Sequence, residues 1–370
     1  MTPQEMEARI VRYGELRPCK TAFIDAHTPG SDRKENFTII GGGVSESPDQ
    51  HVHIRDTPGF NIGAAGQPPY CRNSLHMHST AEVFFVLKGK WRFFWGRWGD
   101  AGEVTLEEGD IFNIPTGIFR GFENIGTDYG MIMAFLGGDD AGGGVIWAPQ
   151  VIQDAQDHGL VLGENGTLYD TKKGQSLPNG IAAMPILSST ELQAIPEPTS
   201  AQVVPHYVAR YWDLMALSDR QPAKVIGPDA ALRDRPGFSV DFISRNSLPE
   251  SAYSCDKHEV LMPMRGHWQL DWDGGSRVLN PGDTCLLPPG LSRALKPTMT
   301  GEASLYRVRG TDDPAGIVAP RHFGGGAPGL GAVAFGDALD FPDHRAARVN
   351  DHLFLGERAL RMGVGEEIES

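Results

Sequence analysis

Asn73-Ser-Leu-His-Met-His-Ser-Thr-Ala-Glu-Val-Phe-Phe-Val-Leu-Lys-Gly89 is the stretch whose reading decides the fold. Imidazole and carboxylate are the side chains that hold a divalent first-row metal, and His76, His78 and Glu82 stand close together here. An apolar run, Val83 to Leu87, follows directly and Gly89 closes it. A run of that length bounded by a turn residue predicts a buried strand, which would give the ligands a rigid base. Further on, Gly109, Pro115, Gly117, Arg120 and Asn124 form a second spaced set.

These two sets resemble the paired motifs of the cupin family. His-x-His, three residues, Glu, six residues, Gly is similar to the first motif and falls on His76, His78, Glu82 and Gly89. The second motif, Gly, five residues, Pro-x-Gly, two residues, His, three residues, Asn, is met at Gly109, Pro115, Gly117 and Asn124, with Arg120 in the place of the histidine. The resemblance implies a jelly-roll barrel whose mouth is lined by His76, His78 and Glu82. It also implies a chemistry drawn from metal-dependent dioxygenases, isomerases or decarboxylases, distantly similar to gentisate dioxygenase-like and quercetinase-like bicupins. Iron(II) heads the expected metals; manganese, nickel and zinc suit the same ligands.

Much of the pattern returns later in the chain. Asp56-x-Pro-Gly-Phe60 recurs as Asp234-x-Pro-Gly-Phe238. Glu82, Gly89, Trp91 and Trp95 recur as Glu259, Gly266, Trp268 and Trp272, and Gly109, Pro115, Gly117 and Arg120 recur as Gly282, Pro288, Gly290 and Arg293. The offset narrows from 177 to 173 between the Trp pairs and the Gly pairs, as one shorter hairpin in the second copy would require. Short β runs with no helix between them predict antiparallel sheets closed into barrels. The expected fold is therefore all-β: two jelly-roll (cupin) β-barrels in tandem, with a short helical arm and connector. The expected domains are an N-terminal helical arm over 1–40, a metal-binding barrel over 41–147, a connector with short helices over 148–225, a degenerate barrel over 226–312 and a tail over 313–370 packing on the barrels. Within the arm, Met6, Ile10 and Tyr13 predict a helix from Pro3 to Leu16.

Arg120 admits two readings. A guanidinium fork grips a carboxylate through two hydrogen bonds, so Arg120 is expected to bind the acid of a small substrate held by the metal. Alternatively it pairs with Glu82 and replaces the metal's charge. In the second copy His76 and His78 correspond to Tyr253 and Cys255, while Glu259 and Arg293 remain. Those four are read as structural and metal-free. His51-x-His53 offers a further pair that could supply a fourth ligand or be a surface feature.

The formal net charge of −14 argues against nucleic acid as a partner. No run of about 18 apolar residues predicts a membrane span, and Thr2 to Leu16 lacks the apolar core of a secretory signal. The cytoplasm is the expected compartment, with the four cysteines as reduced packing residues. The expected function is a metal-dependent oxidoreductase of dioxygenase type acting on a small anionic, aromatic or non-aromatic, organic substrate. The alternatives are a metal-dependent isomerase or decarboxylase, and a non-catalytic, metal-free binding or structural protein. A homodimer or higher homo-oligomer is expected from sheet edges that need covering.

Overall fold

The computed structural model describes residues 1–138, 144–232, 237–247 and 251–311. The tail expected over 313–370, with its Gly-rich stretch, lies outside the described residues, as do Asp234 and Pro236 of the repeated turn.

The stretch after the ligands forms the strand Glu82–Lys88. Successive side chains on a strand point to opposite faces. Phe84 and Val86 enter the interior of the first barrel, among Trp91, Phe93 and Phe112. Val83 and Phe85 face the other way, into a cluster shared with Phe238, Phe242 and Tyr306 of the second barrel. A strand buried on both faces reads as a continuous apolar run, which is why this one shows no alternation. Glu82 shares the parity of Phe84, so its carboxylate is directed inward.

The first barrel is built from two sheets. One has seven strands in the order Val208–Ala209, Ile111–Ile114, Glu82–Lys88, Gly130–Gly137, Phe60–Gln67, Glu35–Ile40 and Val52–Ile54. The other has five: Ile146–Trp147, Arg72–Met77, Arg120–Asn124, Trp91–Trp95 and Gly102–Leu106. The second barrel repeats this with a six-stranded sheet, Ile10–Val11, Thr284–Leu287, Glu259–Arg265, Ser304–Gly310, Phe238–Ser244 and Ala223–Ile226. Gly275–Leu279, Trp268–Trp272 and Arg293–Pro297 lie opposite it.

Registers repeat with the fold. Glu82 pairs with Ile114 and Glu259 with Leu287; Arg120 pairs with Trp95 and Arg293 with Trp272. Trp95 pairs with Gly102 across a long connection, whereas Trp272 pairs with Gly275 across Asp273-Gly274 alone. That shorter hairpin accounts for the change of offset. Both Trp strands alternate buried and half-buried residues, with Trp91, Trp95, Trp268 and Trp272 inward. They are packing residues of the two barrel cores and do not line the cavity beside His76 and His78.

The two large sheets pack face to face. Phe85 meets Tyr306 with ring centroids 4.6 Å apart, and Phe60 meets Phe238 at 5.0 Å. The Tyr306 hydroxyl donates to Gly109 O at 2.6 Å, so the seam also satisfies its buried polar atom. Met131 and Met133 belong to this seam.

The N-terminal arm departs from expectation. Its helix covers only Pro3–Glu7, closed at the start by a capping box of Thr2 and Glu5. Ile10–Val11 then forms a strand, because sheet hydrogen bonds to Thr284–Leu287 outcompete a marginal short helix. The connector does the same in return: Val208–Ala209 pairs with Ile111–Ile114 of the first barrel. The two arms thus exchange barrels. Ile10-Val-Arg-Tyr13 and Val208-Ala-Arg-Tyr211 are themselves a short repeat. Arg12 donates to Asp283 Oδ2 at 2.8 Å while the Tyr13 amide donates to Asp283 Oδ1 at 3.0 Å. Arg210 and the Tyr211 amide make the same two bonds to Asp110, both at 2.8 Å.

In the connector, helix Pro149–Asp157 lies where periodicity places it, and Asn165-Gly166 turns the hairpin Leu160–Leu162 with Leu168–Asp170. Ser188 starts Ser189–Gln193 through a capping box. Helices Ser200–Tyr207 and Tyr211–Leu217 are further short helices of the connector, at positions that no sequence pattern marked. Among the described residues no helix is long and apolar enough to cross a membrane. The four cysteines are free thiols, and Cys19, Cys71 and Cys285 are buried.

Candidate metal centre

His76 sits on the strand Arg72–Met77 and His78 just beyond its end, two residues on and so on the same side. Glu82 opens the next strand. All three are buried, and one ligand atom from each lies within 4.8 Å of the others. Among the described residues no other such group occurs.

Backbone carbonyls set the imidazoles. His76 Nδ1 donates to Ser74 O at 2.8 Å, and His78 Nδ1 donates to Gly144 O at 2.8 Å. Each ring therefore carries its proton on Nδ1 and leaves the Nε2 lone pair free, as in a histidine prepared for a metal. His78 Nε2 stands 3.7 Å from Glu82 Oε1. Two neighbouring ligands on metal bonds of about 2.1 Å lie roughly 3 Å apart, so a small side-chain rotation closes the set. Burial, reinforced by the charge of Arg120, lowers the pKa of both histidines, His76 the further. They are neutral at neutral pH, the form that coordinates.

Arg120 faces Glu82. It pairs with His76 across the sheet, and its Nε donates to Glu82 Oε2 at 3.1 Å while Nη2 makes a closer bond to the same oxygen. Of the two readings of Arg120, these contacts carry the pairing with Glu82: a buried carboxylate takes the nearest cation, and this one reaches it from the facing sheet. Burial alone would raise Glu82, but the Arg120 guanidinium holds it well below the usual carboxylate range. Only Oε2 is taken. Oε1 remains open toward the histidines, so the donor set fits a divalent metal in number, type and protonation.

The three ligands line a cavity of about 60 Å³. Its other walls are mostly apolar, with Phe37, Phe84, Phe122, Leu136 and Trp147 among them. Arg120 is not in the lining. His51 and His53 lie elsewhere, beside the edge strand Val52–Ile54, with rings 4.6 Å apart and His53 Nε2 accepting from the Arg17 amide. Neither belongs to the ligand group or lines its cavity.

Residues 67–136 match the family model described as Cupin domain. The N-terminal barrel is a cupin domain. With the second barrel repeating it pair for pair, the chain is a bicupin. Among solved structures it is similar to a salicylate 1,2-dioxygenase from Pseudaminobacter salicylatoxidans, at 14% identity over 81% of this chain and 83% of that one, TM-score 0.47. It is also similar to an oxalate decarboxylase from Lactobacillus farciminis, at 13% identity over 81% and 85%, TM-score 0.47. A cupin 2 conserved barrel domain protein from Leptotrichia buccalis shares 9% identity over 81% and 99%, TM-score 0.40. No curated protein matches the chain in sequence.

The second cupin barrel handles the same position differently. Tyr253 bridges to Arg293 as His76 pairs with Arg120. Both carboxylate oxygens of Glu259 are engaged. Oε1 accepts from Tyr253 at 2.9 Å and from Arg293 Nε at 3.2 Å, and Oε2 accepts from Arg309 at 2.8 Å. By register, Arg307 and Arg309 stand where the first barrel has Ala134 and Leu136. Guanidinium groups therefore fill the space that is a cavity in the first copy. Cys255 lies apart, its Sγ accepting from the Lys257 amide. Aligning the repeats one strand further at offset 173 would have found the two arginines in the sequence.

A second buried acid stands behind the cupin site. Glu46 accepts from Trp147 Nε1 at 2.6 Å and from the Ile24 amide at 2.9 Å, and the Trp147 ring lies 5.4 Å from that of His76. Burial pushes Glu46 up to about 8, with the Asp25 charge adding and the two hydrogen bonds opposing. Its folded pKa thus exceeds its unfolded value, so the native state keeps a proton that the unfolded chain has released. Stability contributed by Glu46 is complete below about pH 4.5 and falls as pH rises toward 8. In urea unfolding at pH 5 and pH 8, Glu46→Gln is expected to reduce that fall; an equal fall in wild type and variant would refute it.

Proposed function

We propose that the N-terminal barrel holds a divalent metal on His76, His78 and Glu82, and that the protein is a metal-dependent oxidoreductase of dioxygenase type acting on a small organic substrate. The observation that carries this reading is the convergence of three open donor atoms on one cavity wall, each ligand braced from behind by Ser74 O, Gly144 O or Arg120. Two neutral histidines beside a carboxylate exceed what a structural ion pair requires. A metal bound by two histidines and one carboxylate supplies a Lewis acid with open positions for substrate and dioxygen. Iron(II) is the proposed occupant.

The chain's own residues do the rest. Ser74 and Gly144 fix the imidazole tautomers, and Arg120 keeps Glu82 ionised and directed by one oxygen. The aromatic wall excludes water from the reacting groups. The second barrel, with its acid fully paired, serves as a structural partner in this reading.

A metal-free binding function has one specific observation behind it, the direct Arg120–Glu82 pair. Elemental analysis of protein purified without added metal or chelating resin separates the two. Close to one iron, manganese, nickel or zinc per chain is expected. Dioxygen uptake with small chelating substrates then distinguishes a dioxygenase from an isomerase or decarboxylase. No metal in the purified protein, and none taken up from Fe(II), would overturn the proposal.

A further inference from the structure

We infer that the cavity takes a compact ligand whose negative charge lies only on the atoms bound to the metal and whose far end is uncharged. The inference rests on the metal reading above and deepens it by naming the substrate class. It follows from where the charges of the site are and where they are not.

Among the described residues no lysine or arginine lines the cavity. Arg120 is committed to Glu82, and the buried Lys34 is committed to Asp25 and to Asn73 Oδ1 at 2.7 Å. The Glu82 charge is therefore already balanced, and an imidazole adds no charge of its own when it coordinates through its lone pair. A divalent metal there would keep two uncompensated charges in an apolar enclosure, and buried charge requires a partner. Among the described residues no further anion lines the cavity, so the ligand is to supply it, at the metal itself.

The opposite end of the ligand meets a different wall. Phe37, Ala64 and Ile132 are apolar there, and so, nearer the metal ligands, are Ala134 and Leu136, whose second-barrel equivalents are Arg307 and Arg309. Asn36 also lines the cavity, and its buried Oδ1 has no hydrogen-bond partner among the described residues. An unpaired acceptor repels a carboxylate and receives a hydroxyl. A second acid group at this end would lose its water without gaining a cation. The volume, about 60 Å³, admits a few waters' worth of ligand and favours a short molecule.

The test uses Co(II)-loaded full-length protein and two ligands with the same chelating head, butyrohydroxamate and succinic monohydroxamate, which differ at the far end by methyl against carboxylate. Binding is followed by the cobalt absorption bands and by calorimetry. Butyrohydroxamate is expected to bind at least 30-fold more tightly. Equal affinity, or preference for the acid-ended ligand, on cobalt-loaded protein would overturn this inference and leave the metal reading standing. Failure of the protein to take up Co(II) would overturn the metal reading, and this inference with it.

Discussion

Arg120→Gln is expected to destabilise the metal-free protein by about 3–5 kcal/mol, the usual cost of removing one partner of a buried ion pair. Glu82 and Arg120 are both buried, and no other cation bonds to the Glu82 carboxylate among the described residues. The variant leaves an anion beside two neutral imidazoles and apolar walls. Because the wild-type carboxyl is held below its ordinary value near 4.5, its stabilisation is present above that pH and fades as pH falls through the folded pKa. The deficit of the variant is thus greatest above about pH 5 and shrinks in acid, where Glu82 takes up a proton. A divalent metal should restore what the guanidinium supplied. Ligand at 100 times its Kd adds about 2.7 kcal/mol, so saturating metal should recover much of the loss. Urea unfolding with and without Co(II), at pH 7 and pH 4.5, checks each point. If Arg120→Gln unfolds like wild type at pH 7, the guanidinium is not what keeps Glu82 charged. The double variant Glu82→Gln/Arg120→Gln removes both charges and should be markedly more stable than the single one.

The second large effect is on the metal. His76→Ala/His78→Ala should carry none, where wild type is expected to carry close to one per chain. Loss of a group that merely orients a ligand costs about 10–100-fold in affinity, so loss of two ligands lies well beyond that. The fold should survive, since both rings border an existing cavity and the barrel core among Phe84, Trp91 and Phe93 is untouched. Elemental analysis and the metal-dependent rise in Tm report the outcome together. Retention of stoichiometric metal by the double variant would place the site elsewhere and sink the assignment.

The ligand set was legible because it is local. His76 and His78 share a face by parity, Glu82 shares the parity of Phe84, and the motif spacing encodes both. The duplication was legible too, since Trp, Gly and Pro-x-Gly recur in order and the change of offset marks one hairpin. Less was visible where partners lie far apart. The arm repeat Ile10-Val-Arg-Tyr13 and Val208-Ala-Arg-Tyr211 is short and has an offset of its own, so it stood apart from the barrel alignment. Helix Ser200–Tyr207 carries Pro205 and lacks a clear stripe, and its Val203 and Tyr207 are buried against the first barrel.

By itself, then, the sequence determined the all-β two-barrel plan, the inward set of His76, His78 and Glu82, and the loss of the histidines from the second copy. These follow from two-residue periodicity and fixed spacing, which act within a strand. Tertiary structure alone decided that Arg120 closes on Glu82, that Arg307 and Arg309 fill the second barrel, and that each arm crosses to the other barrel. Those choices belong to charges and sheet edges that meet only after folding, when a buried carboxylate must take whichever cation the surrounding strands present.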